Sequence, residues 1–160
     1  MKYKVNLQIA SQSSDLPNRF IIYRWISKVL KPRYDSAELC LRIVDQDESK
    51  QLNIQYRQKN FPTNVLAFPA EIPNEVKLDK PFLGDIVICA PIVAAEALEQ
   101  GKTEMAHWAH LIIHGLLHLL GYDHITDAEA AVMESIEIET LAQLGFPNPY
   151  IETNNQSQSS

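Results

Sequence analysis

The sequence is poor in cysteine, in long apolar runs and, over its last third, in positive charge. Two cysteines in 160 residues, Cys40 and Cys89, sit in separate strand-like apolar runs, too few and too far apart for a disulfide framework. No apolar run approaches the ~20 residues that span a bilayer, and Met1-Lys2-Tyr3-Lys4 leads straight into an alternating pattern. No signal peptide or membrane anchor is therefore expected, and a soluble cytoplasmic protein is the default. What is present is globular in kind. Hydrophobic residues make up 46% and charged residues 21% of the chain, which excludes wholesale disorder, and the length suits one domain with one core.

The net charge of −6 argues against a nucleic-acid binder until it is divided along the chain. No lysine or arginine follows Lys102, so the remainder carries only acids, whereas the part up to Lys102 is slightly positive. Within that part, Arg19, Arg24, Lys28, Lys31 and Arg33 occur with no acid between Leu16 and Tyr34. Asymmetry of this kind permits an anionic ligand on one face, although charge alone favours the plainer reading of a solvated helix face.

Val5, Leu7 and Ile9 alternate with polar neighbours and predict a strand with one buried face. Asp15-Leu16-Pro17 is expected to open a helix, with Phe20, Ile21, Trp25, Val29 and Leu30 on its buried stripe and its end near Pro32. Leu39, Leu41 and Ile43 predict a second strand. Asp45 to Tyr56 reads as a helix in which Asp45 and Glu48 have capping-box spacing. Val65 to Phe68 forms a short strand stopped by Pro69, and Glu71 to Pro81 a polar loop. Leu83 to Cys89 predicts a mostly buried strand, and Ala90 to Gln100 a helix with Pro91 in its first turn and Gly101 as terminator. Glu104 to Leu120 is apolar almost all round and should run through the core. Thr126 and Glu129 cap a last helix to Leu144, on which Met133, Ile136 and Leu141 have core spacing. Residues 1–150 are expected to be one α+β domain and 151–160 a polar tail, frayed from Asn154 to Ser160.

All five histidines fall between positions 107 and 124: His107, His110, His114, His118 and His124. His114 and His118 are four apart on one helix, so both rings project from one face about 6 Å apart along the axis. Gly121 lets the chain leave the helix and turn back, which allows His124 to offer a third nitrogen to the same ion. Three neutral imidazoles fill three corners of a tetrahedron and leave the fourth open, the catalytic rather than the structural arrangement of zinc. His110, one turn before His114, is a weaker candidate ligand because a fourth histidine closes the site. Asp123 either orients a ligand or caps the turn. The spacing is that of the metzincin proteases, H-E-x-x-H-x-x-G-x-x-H, but Gly115 replaces the glutamate that acts there as general base. A conventional metalloprotease is disfavoured on that ground. Asp85 and Asp123 are candidate bases by chemistry alone.

The run His114-Gly115-Leu116-Leu117-His118-Leu119-Leu120-Gly121-Tyr122-Asp123-His124 is similar to the H-G-x-L-H-L-x-G-Y-D-H signature of the bacterial YbeY family of metal-dependent endoribonucleases. Leu52-Asn53 through Tyr56-Arg57, Pro62 to Pro69 and Leu83 to Ile88 resemble the family's L-N-x-x-Y-R, P-T-N-V-L-S-F-P and L-G-D-I-x-I stretches, in the same order. Ala67 departs from the family, which usually has serine there. The resemblance implies a small mixed sheet flanked by helices around a central metal-binding helix. It implies a single-strand-specific, zinc-dependent endoribonuclease acting in ribosomal RNA maturation at the small-subunit 3′ end and in ribosome quality control. Its partners would be ribosomal RNA and the ribosome or its proteins, with no membrane. Carried over residue by residue, His114, His118 and His124 hold one Zn²⁺ and Arg57 faces the metal cleft. A guanidinium fork suits the charge that builds on phosphoryl oxygens, and Lys59 is a weaker substrate contact. The basic stretch Arg19 to Arg33 becomes a track for the RNA backbone. Two other readings compete: a zinc-stabilised ribosome assembly factor without catalysis, and an atypical metallopeptidase.

Overall fold

In the computed structural model, which describes residues 2–71 and 80–151, the strands are β1 (Tyr3–Ala10), β2 (Ala37–Val44), β3 (Val65–Pro69) and β4 (Phe82–Cys89). They form one sheet in the order β1-β2-β4-β3, with β1, β2 and β4 parallel and β3 antiparallel at the edge. Five helices accompany them: α1 (Arg19–Leu30), α2 (Gln46–Arg57), α3 (Ala90–Gln100), α4 (Glu104–Leu119) and α5 (Asp127–Gln143). Most of the Glu71 to Pro81 loop and the whole Asn154 to Ser160 stretch lie outside the described residues. No helix among those residues is long and apolar enough to cross a membrane.

Alternation along the strands sorts the layers. Leu39, Leu41, Ile43, Ile86 and Ile88 point to one face and join α1, α4 and α5 in the main core. Val44, Leu66, Val87 and Cys89 point to the other face, where Leu52 of α2 covers them. A strand covered on both faces reads as a continuous apolar run, which is why Ile86 to Cys89 is unbroken. Helix α4 lies in the middle: ten of its sixteen residues are buried, Trp108, Ile112 and Ile113 almost completely. Both cysteines are free.

Three local expectations need correction. Along the edge strand β1 only Tyr3 is buried, Val5 and Leu7 are half-buried, and Ile9 is 51% exposed. Asn18, not Asp15, caps α1, its Oδ1 accepting from Ile21 N–H at 2.9 Å. The buried stripe is Ile22, Trp25, Ile26, Val29 and Leu30, while Phe20 is 82% exposed because it lies across the helix axis from Ile22. In α2 the capping box does not form. The Asp45 carboxylate accepts instead from Ser11 Oγ and Gln12 N–H, tying the end of β1 to the end of β2, and these bonds hold its pKa below the ordinary value. Glu48 takes a two-pronged bond from Arg42, 2.6 Å from Nε and 2.9 Å from Nη2. The Thr126–Glu129 box of α5, by contrast, forms with both bonds at 3.1 Å.

Candidate metal centre and active-site cleft

The C-terminal half of α4 meets β3 and the end of α2 at a cleft of about 630 Å³. His114 and His118 project into it from α4. Gly121, at φ +99°, then reverses the chain so that His124 returns to the same point. The three ring centroids lie 4.7, 5.0 and 5.6 Å apart, and one ring nitrogen from each falls within 4.8 Å of the others. Gly115, between the two helical histidines, sits against the sheet. A Cβ there would come within 3.0 Å of Ile86 Cγ2 and 3.3 Å of Val65 Cγ2. A glycine at this position thus suits the close approach of α4 to β3 and β4, since any Cβ would press on both side chains.

Arg57 arrives from the other layer. It is the last residue of α2, and Gln58 in the left-handed conformation (φ 60°) ends the helix there. The loop that follows is fastened by two buried polar side chains. Ser49 Oγ donates to Thr63 O and accepts from Thr63 N–H, each at 2.9 Å, and Asn53 Nδ2 donates to Phe61 O at 2.8 Å. Tyr56 packs on Phe68 of β3 with centroids 4.9 Å apart. The exposed Arg57 guanidinium therefore lines the same cleft as the three histidines, with Asn64, Val65 and Ala67 in the wall. Ala67 in that wall presents a methyl and no hydrogen-bonding group to the cleft. Lys59 is exposed and is not among the described residues lining it.

Of the two candidate bases, Asp85 is misplaced. It pairs with Cys40 and is the one exposed residue of β4, and its side chain shares the sheet face of Val87 rather than that of Ile86, which packs on α4. Asp123 is the one acid lining the cleft among the described residues. Its Oδ1 accepts from His124 N–H at 2.8 Å and lies 3.8 Å from His124 Nδ1, so it caps the turn and neighbours a ring at once.

His107 and His110 stand outside the trio, His107 on Glu96 and His110 on a carboxylate it shares with His114. His107, 3% exposed, donates from Nε2 to Glu96 Oε1 at 2.8 Å, and Glu96 also accepts from Asn64 Nδ2 at 3.1 Å. His110 meets Glu137, the functional-site residue that reading of the sequence missed. Glu137 accepts from His110 Nε2 at 2.9 Å and from His114 Nδ1 at 2.6 Å, and also from the Tyr150 hydroxyl. Burial raises the Glu137 pKa, but these donors outweigh it and bring it down to about 2. A signal existed: Met133, Glu137 and Leu141 share one stripe of α5, and a carboxylate on an apolar stripe must find partners.

The donor set fits a metal ion. With Nδ1 of His114 given to Glu137, Nε2 is left for coordination. Burial, then the neighbouring His114 and His124 with a contribution from Arg57, hold His118 below its ordinary pKa against the pull of Asp123. That favours the neutral imidazole a metal requires. Fold and site together describe an α+β protein with a candidate three-histidine metal centre and an arginine lining the same cleft.

Comparison with known proteins makes this particular. The profile of endoribonuclease YbeY matches residues 8–145, and the chain belongs to that family. The chain is 54% identical over 149 residues to the endoribonuclease YbeY of Stutzerimonas stutzeri (strain A1501), covering 93% of this chain and 92% of the relative. It is 50% identical over 154 residues to that of Pseudomonas putida (strain W619), covering 96% and 97%. A Thermotoga maritima protein solved in solution shares the fold, with a TM-score of 0.56 at 24% identity over 87% of this chain and 91% of the other. The resemblance read from the motifs and the enzyme class it implied are both borne out.

Proposed function

We propose that the chain is a zinc-dependent endoribonuclease that cuts single-stranded RNA in this cleft, with His114, His118 and His124 holding the ion. The observation that carries the reading is the convergence of Arg57, from α2, on three histidines supplied by α4 and the turn after it. A zinc ion bound there supplies Lewis acidity toward water and toward a phosphoryl oxygen. Arg57 binds phosphoryl oxygens with its fork and opposes the charge that builds on them as the phosphodiester is hydrolysed. Asp123 fixes the turn that carries His124 by accepting its backbone N–H. Beyond the cleft, Tyr122 separates it from a shallower hollow of Arg33, Tyr34 and Leu120, and the Arg33 guanidinium lies 5.8 Å from the Tyr122 ring centre. Aromatic faces beside arginine suit the unstacked bases of a single strand, and the exposed Lys28 and Lys31 continue the positive surface at the C-terminal end of α1. Maturation of the small-subunit ribosomal RNA 3′ end, ribosome quality control, ribosomal partners and a cytoplasmic setting belong to the same reading, on the strength of the family.

The test compares purified wild type with Arg57→Ala and a His114→Ala, His118→Ala double variant, measuring zinc content, RNA binding and RNA cleavage in each. Arg57→Ala should keep zinc, bind RNA within a few-fold, and cleave about 10²- to 10³-fold more slowly. The double variant should lose zinc and cleavage together. Zinc-loaded wild type, cleared of contaminating nucleases, that binds RNA and leaves it intact would make the chain an assembly factor instead.

A further inference from the structure

Glu137 is 0% exposed, an ion in the core of the molecule. Burial of an unpaired carboxylate is costly, and it is tolerated when its oxygens are all engaged. Here the donors come from two other parts of the chain. Oε2 takes the Nδ1–H of His114, and Oε1 takes the Nε2–H of His110 together with the Tyr150 hydroxyl. Tyr150 also lies across the His110 ring, with centroids 5.3 Å apart and planes at 84°. The 2.6 Å bond to His114 fixes which of its nitrogens carries hydrogen and prevents the ring from turning about its own axis. Tyr150 stands beyond the end of α5 and lies outside the cleft-lining set, yet its hydroxyl touches the carboxylate that holds a cleft histidine.

We propose that Glu137 is the positioning residue of the three-histidine centre and that Tyr150, acting through it, couples the segment after α5 to retention of the metal. The proposal rests on the metal reading above. A carboxylate serving only to tie α4 to α5 would support the fold without setting the affinity of the site.

The experiment is zinc affinity of the full chain, by competition with a chromogenic chelator, beside the thermal midpoint of the metal-free protein. The variants are Glu137→Gln and Tyr150→Phe, with His107→Gln as a control that perturbs the separate Glu96 pair. Glu137→Gln should weaken zinc about 10- to 100-fold. Tyr150→Phe, which leaves the carboxylate and both its histidines in place, should weaken zinc in the same direction by less. His107→Gln should lower the midpoint while leaving zinc affinity within about twofold. Glu137→Gln that unfolds more easily but binds zinc as wild type does would reduce Glu137 to a structural tie and overturn the proposal. Should Glu137→Gln fail to fold, Tyr150→Phe decides: wild-type affinity overturns the coupling, a loss supports it. Wild type that takes up no zinc would sink the metal reading and this one together.

Discussion

Replacing Gly115 by alanine sets two effects of known size against each other. Inside a helix, alanine is favoured over glycine by about 1 kcal/mol. The added methyl, however, would lie 3.0 Å from Ile86 Cγ2 and 3.3 Å from Val65 Cγ2, so something must give by a few tenths of an ångström. Ile86 is 0% exposed on the central strand β4, branched at Cβ and packed on every side, and has nowhere to retreat. Overpacking of this kind costs about 1–3 kcal/mol. The crowding wins, and the net loss should be about 1 kcal/mol, a fall of about 2–4 °C in the thermal midpoint of the metal-free protein. Cleavage should drop less than about tenfold, because the displacement stays well under the ~1 Å that costs about 10²-fold. Differential scanning calorimetry reads the first quantity. A midpoint that rises by a few degrees would show that α4 does not need a bare backbone here, and the packing account of Gly115 would be wrong. Gly115→Glu, which restores the protease glutamate, should cost more stability and bring no peptidase activity, since the larger side chain meets the same wall.

Three further outcomes are expected. The exposed Lys28 at the end of α1 and Lys31 just after it, changed together to glutamine, should reduce the slope of log RNA affinity against log salt by about 1.4 if each contacts one phosphate; an unchanged slope would remove this end of α1 from the RNA track. His107 has its pKa lowered, chiefly by burial, so the unfolded chain binds its proton more readily than the folded one. Stability is therefore full above the ordinary value of 6.5 and is lost as pH falls below it, and His107→Gln should flatten that acid-side slope in melts between pH 7 and 5. Equal slopes in variant and wild type would count against it. Thr126→Ala removes the cap of α5 and should lower the midpoint by about 2–4 °C, for a loss of about 1 kcal/mol; a shift under about 1 °C would mean that the box contributes little.

The histidine centre was legible in the sequence because its geometry is local. Helical periodicity aligns His114 with His118, a glycine in the next turn permits the reversal, and His124 follows within reach. Capping by Thr126, the stop at Gly101 and the buried β4 run are local in the same sense. Where side chains had a choice of partner, local rules failed: Asp45 and Glu48 have capping-box spacing, but Ser11, Gln12 and Arg42, brought in by the sheet, bind them instead. Arg57 was reachable through the family's motif and not through its own surroundings, since an arginine at a helix end is ordinarily solvated. The exclusion of Asp85 depends on which layer covers which face of β4, and the inclusion of Glu137 on the docking of α5 against α4. The sequence by itself determined the three-histidine turn and the order of helices and strands, because these follow from spacing along one segment. Only the tertiary structure decided which carboxylate supports the centre and which faces away, because a buried charge takes its partners from whatever distant segments the packing delivers.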